Sequence, residues 1–349
     1  MSDSPIDSSD PSLMQEKTYS LEFRGKAGEY FKIWIVNVLL TVVTLGIYSA
    51  WAKVRTRKYF YKNTILDGAS LDYHADPIKI LKGRIILGIL FLAYSVGPQF
   101  NPFIGIAAGL LFALLFPWIV VRGAIFNFRN TSYRNLRFNF QKDYKKSYLT
   151  YLESFFVSLL SLGLAYPYGL YRHTDFIMNH VSYGKASGKY AGRPGPWFGA
   201  IYLSIGIIVL FSVVGVAIVG LLNSVLGPLT MVIAPVFIYG GMAVASGILK
   251  ASLTNLMARD LSIGDVKFRG KLEARAMAGI YFVNLLAVIS SFGLATPWAL
   301  HRTRKYRIEH LELIAPNGNY LQQITGDAQA AEGSVADAAV DFWDIDLGF

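Results

Sequence analysis

The stretch LGIYSAWAKVRTRKY, residues 45–59, determines how the chain is organised, because similar stretches occur twice more. The second is LGLAYPYGLYRHTDF at residues 162–176, and the third is FGLATPWALHRTRKY at residues 292–306. In each copy a glycine ends an apolar run, and a turn with an aromatic residue leads into a basic segment. Because internal repeats indicate architecture, we use these copies to divide the chain.

The composition indicates a membrane protein. Of the 349 residues, 53% are hydrophobic and only 16% are charged, well below the roughly 25% of charged residues in a typical soluble domain. Apolar runs reach about 20 residues, the length that crosses a bilayer. We place seven apolar segments at about residues 30–51, 83–100, 102–121, 150–171, 197–222, 227–249 and 277–300.

Four of these segments are predicted to form two transmembrane hairpins, because the joints GPQFNP and LLNSVLGP carry no charge. The other three contain the breaks at Gly46, Gly163 and Gly293, and strand-like pieces flank them. These pieces are YSLEFRGK, TILDGASLDY, YRNLRFNFQK, MNHVSYGKAS, DVKFRGK and LELIAPNGNY, starting at residues 19, 64, 133, 178, 265 and 311. LRFNF, for example, alternates apolar and polar residues with the period of a half-buried strand.

The sequence therefore predicts an all-α polytopic membrane protein with short cytoplasmic β-strands gathered into a small sheet. It contains three internal repeats, each a strand, an apolar helix, a glycine break, a basic helix and a strand, plus two transmembrane hairpins. We divide it into a disordered acidic tail at 1–18, repeat 1 with its hairpin at 19–135, repeat 2 with its hairpin at 136–264, repeat 3 at 265–324, and a disordered acidic tail at 325–349 that ends in DFWDIDLGF.

Charge predicts orientation. The net charge is +10, and Lys and Arg cluster in the connections that flank the apolar segments, whereas the two hairpin joints contain none. Basic connections are typical of the cytoplasmic side. Two topologies stay open: seven ordinary spans, or four spans with three re-entrant segments that turn back at the glycines, which requires protein or water around the irregular backbone.

The most specific candidate site is a set of arginines on the basic helices. Arg55, Arg172 and Arg302 occupy the same place in the three copies, and Arg57 and Arg304 add a second arginine in two of them. Guanidinium groups suit phosphates, so we expect contacts with anionic lipid head groups or phosphate. The alternative is that these arginines only anchor the helices at the interface.

Other chemistry is not indicated by the sequence. There is no cysteine, no phosphate-binding glycine motif and no nucleophile motif, and the five histidines lack metal-ligand spacing. We therefore expect no enzyme activity, no cofactor, no metal and no nucleic-acid partner. Asn37 and Asn284 occupy corresponding positions and are predicted to hydrogen-bond between repeats.

The end of the chain carries a candidate docking motif for a cytoplasmic protein partner. Five apolar side chains follow an acidic stretch that is predicted to be disordered. They are Phe342, Trp343, Ile345, Leu347 and Phe349.

The stretch FRGKAGEYFKIWIVNVLLTVVTLGIYSAWAKVRTRKYFYKNTILDG, together with NTSYRNLRF at residues 130–138, resembles the YjgN family of bacterial inner-membrane proteins. The resemblance extends over about residues 19–310. It implies a multi-pass bacterial inner-membrane protein of unknown function, and it supplies no site residues.

Two non-enzymatic function hypotheses follow from these observations; a third, a membrane enzyme acting on lipids, needs a clustered polar site that no residue spacing indicates. The first is a transporter or channel for a small or lipid-like solute, because discontinuous helices build binding sites in transporters. The second is a non-enzymatic membrane adaptor that recruits a soluble partner through its C-terminal tail. The lipid bilayer is a partner in both.

Overall fold

The computed structural model describes residues 16–227, residue 230 and residues 233–316. Within them, pairs of helices alternate with pairs of short strands. The helices are α1 (Ala27–Val43), α2 (Ser49–Lys62), α3 (Pro77–Phe100), α4 (Pro102–Arg129), α5 (Tyr144–Leu160), α6 (Tyr166–His180), α7 (Pro194–Leu226), α8 (Ile233–Asp260), α9 (Ala274–Ser290) and α10 (Thr296–Glu309). The strands are β1 (Lys17–Phe23), β2 (Thr64–Leu66), β3 (Ala69–Tyr73), β4 (Thr131–Tyr133), β5 (Leu136–Phe140), β6 (Val181–Tyr183), β7 (Ala186–Tyr190), β8 (Leu261–Ile263), β9 (Val266–Gly270) and β10 (Leu311–Ala315).

The strands form a closed antiparallel barrel in the order β1-β10-β9-β8-β7-β6-β5-β4-β3-β2. Two-residue turns join β2 to β3, β4 to β5, β6 to β7 and β8 to β9. Asp67 and Gly68 in the first turn have φ of 46° and 75°. Positive φ at both positions is typical of the two-residue hairpin turn whose twist matches that of the strands. The later turns at Gly184 and Gly264 have positive φ at the glycine, at 58° and 57°.

Paired strands flank every helix pair. β1 pairs with β2 around α1 and α2, β3 with β4 around α3 and α4, and β5 with β6 around α5 and α6. β7 pairs with β8 around α7 and α8, and β9 with β10 around α9 and α10. Both ends of each helix pair therefore lie at the barrel. We call these five strand–helix–helix–strand segments units one to five, in chain order.

The barrel differs from the small sheet that the sequence predicted. The stretch TILDGASLDY, predicted as one strand, is the hairpin of β2 and β3, because Asp67-Gly68 is a turn signal. MNHVSYGKAS likewise contains the end of α6, then β6 and the start of β7. β8 was not predicted at all, and β1 begins at Lys17, inside the predicted tail 1–18.

Side chains fill the inside of the barrel. Tyr19, Leu66, Tyr133, Tyr183 and Leu313 belong to one buried cluster. The hydroxyl of Tyr133 donates to the carbonyl oxygen of Leu66 at 2.9 Å, and that of Tyr183 donates to the carbonyl oxygen of Tyr133 at 2.9 Å. The interior of the barrel is thus packed with side chains, and these two buried hydroxyl groups are hydrogen-bonded.

Units two and four are long. Helices α3, α4, α7 and α8 are long and apolar enough to cross a membrane, and they are the four such helices within the part of the chain that the structure describes. These two helix pairs, α3 with α4 and α7 with α8, correspond to the two transmembrane hairpins that the sequence predicted. The predicted segments 83–100, 102–121 and 197–222 fall within α3, α4 and α7, and α8 begins at Ile233, inside the predicted segment 227–249.

Units one, three and five are short and break at the repeated glycine. Gly46, Gly163 and Gly293 have φ of 92°, 87° and 90°. Each glycine N–H donates to a carbonyl oxygen five residues earlier, at 2.8, 2.7 and 2.8 Å, which is the hydrogen bond of a helix C-terminal glycine motif. The apolar helix therefore ends there, and the basic helix returns to the barrel, as in the re-entrant alternative.

In units one and five an asparagine forms a hydrogen bond between the two helices of the unit. The Nδ2 of Asn37 donates to the carbonyl oxygen of Ala52 at 3.3 Å, and the Nδ2 of Asn284 donates to that of Ala299 at 3.2 Å. Each bond joins the two helices of one unit. The prediction that these asparagines hydrogen-bond between repeats was therefore wrong, because their partners lie on the returning helix of the same unit.

Neighbouring units pack closely where glycine permits it. A Cβ on Gly247 of α8 would lie 2.5 Å from the carbonyl oxygen of Met277 in α9 and 2.7 Å from the Cα of Ala278. Both obstacles are backbone atoms, so rotamer changes cannot relieve the contact. This approach joins unit four to unit five.

We predict that Gly247→Ala destabilises the protein by about 1–3 kcal/mol, because the added methyl group overpacks the α8–α9 contact. Thermal unfolding in detergent measures the change. Gly206→Ala in α7 is the matched control, since nothing lies within 4 Å of a Cβ there. A neutral Gly247→Ala would contradict the close contact.

A second prediction concerns alkaline pH. Burial raises the pKa of the Tyr133 phenol to about 12, from 10.0. The folded state therefore favours the neutral phenol, and the stability this provides is complete below pH 10 and is lost as the pH rises through 12. Tyr133→Phe should lower stability by about 1 kcal/mol at pH 8 through the lost hydrogen bond, and its stability should fall less steeply between pH 10 and 12. Identical slopes in wild type and variant would refute the assignment.

Candidate functional site

The predicted arginines of the three copies share one structural position. Arg55 lies nine residues before β2, Arg172 nine residues before β6, and Arg302 nine residues before β10. The structure adds Arg122, which lies nine residues before β4. In unit four the position is held by Ser252, nine residues before β8. We call this position the arginine level.

An aromatic residue precedes each arginine by four positions, one helical turn toward the far end of the helix pair. These residues are Trp51, Trp118, Tyr168 and Trp298. The Arg122 guanidinium lies 5.4 Å from the centre of the Trp118 ring, and that of Arg302 lies 5.3 Å from the Trp298 ring. Both contacts are cation–π interactions. The same pair thus recurs in a short and in a long unit.

Sequence reasoning missed Arg122 because α4 is continuous. The three recognised copies carry a glycine break, whereas α4 is one unbroken helix that is apolar from Pro102 to Val121. The usable signal was Pro117-Trp118 followed by Arg122, which has the spacing of Pro297-Trp298 and Arg302.

The aromatic–arginine pairs lie on an accessible face of the basic helices. In α2 the exposed side chains are Arg55, Lys58 and Lys62, whose spacing of three and four residues places them on one face. In α10 Trp298, Lys305 and Glu309 are exposed and follow the same spacing, with half-buried Arg302 between them, while the exposed Leu300 lies off this face. A ligand outside the helix pairs can therefore reach this face.

Arg57 and Arg304 have a different environment from the other predicted arginines. Nη1 of Arg57 donates to the Tyr73 hydroxyl at 3.0 Å and to Oδ1 of Asn127 at 2.7 Å, which connects α2 to β3 and α4. The guanidinium of Arg304 lies 4.2 Å from the centre of the Phe60 ring on α2. These two arginines hold neighbouring units together.

Unit three compensates its arginine with acids. Nη2 of Arg172 lies 2.7 Å from Oε2 of Glu153, and Nη1 lies 3.4 Å from Oδ2 of Asp175. The Tyr168 hydroxyl also donates to Glu153.

The remaining arginines at this level have no acidic partner. Nη1 of Arg55 donates to the Tyr48 hydroxyl at 3.0 Å, while Arg122 and Arg302 lie over their tryptophans. Across residues 16–316, leaving aside the undescribed positions near 230, none of these three forms an ion pair with a carboxylate. Their positive charge is therefore available to an anion.

Unit four lacks this site. Its position at the arginine level is Ser252, and the nearby contact between Gly247 and the backbone of α9 brings the neighbouring helix against α8. Asn255 adds two hydrogen bonds to the backbone of Leu272, at 2.8 and 3.0 Å. Unit four therefore has no arginine at this level, and its α8 is held close to α9 beside it.

Two further expectations from the sequence concern a metal ion and a protein partner. The described residues hold no group of three or more His, Cys, Asp or Glu side chains that could bind a metal ion. The proposed docking residues Phe342, Trp343, Ile345, Leu347 and Phe349 lie outside the described residues, so protein docking stays a prediction.

Comparison with known proteins identifies relatives of the chain. It is 33% identical over 132 residues to "Inner membrane protein YjgN" of Salmonella typhimurium, a match that covers 37% of this chain and 33% of the relative. It is 25% identical over 219 residues to the protein of that name in Escherichia coli O157:H7, covering 62% and 49%. It is 23% identical to that of Escherichia coli strain K12, covering 81% and 85%.

The matches thus span less than half of the first two relatives and most of the third. No solved structure matches the chain. The names of the relatives and the four apolar helices support an inner-membrane protein. A family model described as "Bacterial protein of unknown function (DUF898)" matches residues 18–342. The chain therefore belongs to this DUF898 family, to which its YjgN-like features point.

Proposed function

We propose that this protein binds the phosphate-bearing head groups of anionic lipids at the arginine level of units one, two and five. The observation that carries the proposal is the repeated aromatic–arginine pair without an acidic partner. A guanidinium group offers several donors to a phosphate, and tryptophan rings favour the head-group region of a bilayer. Unit three binds more weakly in this proposal, since Glu153 already neutralises Arg172.

An unsatisfied donor supports the choice of ligand. The buried Nε of Arg122 has no hydrogen-bond partner in the part of the chain that the structure describes. Buried donors without partners are uncommon. A phosphate bound to the Arg122 guanidinium beside the Trp118 ring would neutralise its charge, which has no carboxylate partner.

The packed barrel favours a lipid-like ligand over a solute that moves along the barrel axis. An axial path would have to pass Tyr133, Tyr183 and their hydrogen-bonded neighbours. Lipids reach the outer faces of the helix pairs from the bilayer and need no such path. Of the transport hypotheses, we therefore retain only the handling of a lipid-like molecule.

We also propose that the barrel faces the cytoplasm. The basic helices α2 and α10 return to it, and Lys and Arg are enriched on the cytoplasmic side of inner-membrane proteins. The arginine level would then contact the anionic lipids of the inner leaflet. Adaptor activity through the C-terminal tail is a separate proposal, tested by comparing the partners that co-purify with the full chain and with a chain lacking residues 341–349; identical partner sets would remove it.

The test is binding of the purified protein to lipid nanodiscs that contain either phosphatidylglycerol or phosphatidylcholine, with native mass spectrometry counting retained lipids. We predict that Arg55→Ala, Arg122→Ala and Arg302→Ala together weaken the preference for phosphatidylglycerol on the order of a hundredfold, since each basic residue near an anionic surface contributes about 1 kcal/mol. Added salt should reduce the wild-type preference.

The matched control removes three basic residues from the exposed outer face of the barrel: Arg137→Ala, Lys189→Ala and Arg269→Ala. It should retain the preference. Glycerol 3-phosphate and inorganic phosphate distinguish a lipid site from a free-phosphate site, because only the second would bind them with similar strength. Equal loss in both triple variants would contradict a site at the arginine level.

A further inference from the structure

The turns of the three short units expose large apolar side chains. Leu45, Leu162 and Phe292 are 94%, 92% and 98% exposed. Each adopts positive φ, at 50°, 52° and 50°, immediately before its glycine. Three apolar tips of one geometry therefore project from the helix pairs, and the surroundings that suit them are hydrocarbon.

The arginine level provides a reference for depth. In unit two, Arg122 lies 20 residues after Pro102, the first residue of α4. At 1.5 Å per residue this is about 30 Å, the thickness of the hydrocarbon core. In unit four, Ser252 lies 19 residues after Ile233, the first residue of α8. The two long units thus reach the opposite interface when the arginine level lies at the near one.

The short units reach only part of this depth. Arg55, Arg172 and Arg302 each lie six residues after the first residue of α2, α6 and α10. Six residues of helix span about 9 Å, and the turn adds a few ångströms. The three apolar tips therefore lie near the middle of the bilayer, about one leaflet deep.

We infer that the protein is an asymmetric wedge in the membrane. Of the ten helices in the part of the chain that the structure describes, all pass through the leaflet beside the barrel, and α3, α4, α7 and α8 alone continue into the other leaflet. With a helix diameter of about 10 Å, the six missing helices correspond to an area difference on the order of 500 Å² between the leaflets. Lipid acyl chains of the far leaflet cover the three tips.

A wedge of this shape has a preferred membrane curvature. The leaflet that accommodates more protein area is expanded, so it favours the convex side of a bent bilayer. The protein therefore concentrates where the barrel-side leaflet is convex. The inference uses the arginines only as markers of depth, and it holds even if they bind no specific lipid.

Depth is tested first, with single cysteines at Leu45, Leu162 and Phe292 in this cysteine-free chain. An environment-sensitive fluorophore on each cysteine is quenched by lipids that carry a quencher at a known position along the acyl chain. We expect the strongest quenching near the ends of the chains for all three sites. A fluorophore at Gln99, in the joint of unit two, should be quenched best near a head group. Quenching of the tips near the far head groups would overturn the inference.

Curvature preference is tested on lipid tubes pulled from giant vesicles. Protein that is oriented with its barrel outside should be enriched in the tube relative to the vesicle, and the enrichment should rise as the tube narrows. Protein with its barrel inside should be depleted. Equal densities in tube and vesicle for both orientations would contradict the wedge.

Discussion

The architecture depends on the antiparallel pairing of the two strands that flank each helix pair. Paired neighbours such as β1 with β2, or β5 with β6, bring both ends of the intervening helices to the same place. A single membrane crossing between them is then geometrically impossible, so each unit contains two helices and a turn. Closure of β1 on β10 completes the barrel and fixes five such units around it.

Unit length then decides what each helix pair does in the bilayer. Units two and four have helices of 24 to 33 residues, which is sufficient to cross. Units one, three and five have apolar helices of 17 residues that end at the glycine turns. The aromatic–arginine pair lies at one level in long and short units alike. The same level therefore serves as a candidate binding site and as a marker of the interface.

The sequence predicted the features that local chemistry controls. The uncharged joints identified the two hairpins, and Gly46, Gly163 and Gly293 identified the turns, because positive φ favours glycine. Hydropathy could not choose between re-entry and crossing, since that choice depends on strand pairing far along the chain. β8 has three residues and a weak alternation pattern, so the local sequence did not identify it as a strand.

The sequence predicted only part of the candidate site, because local patterns do not show tertiary contacts. Arg55, Arg172 and Arg302 were found through the repeated stretch, but Arg122 lies in an unbroken apolar helix where the repeat is hidden. Arg57 and Arg304 carry the same charge as their neighbours, and only tertiary contacts with Asn127 and Phe60 distinguish their role. The direction in which an arginine side chain leaves its helix therefore decides whether it contacts a neighbouring unit or belongs to the candidate site.

The most direct test of the account is membrane topology. Single cysteines at Ser70, Ser187 and Asp265 place one thiol on each of three barrel hairpins, and cysteines at Gln99 and Asn223 mark the far ends of units two and four. Each variant is treated with a membrane-impermeant thiol reagent, first in cells whose outer membrane alone is permeable and then in inverted inner-membrane vesicles. The account predicts that the three barrel sites are protected in the cells and labelled in the vesicles, and that the two joint sites behave in the opposite way. A barrel site that labels together with Gln99 would show that a short unit crosses the membrane, and it would contradict the closed barrel on one side.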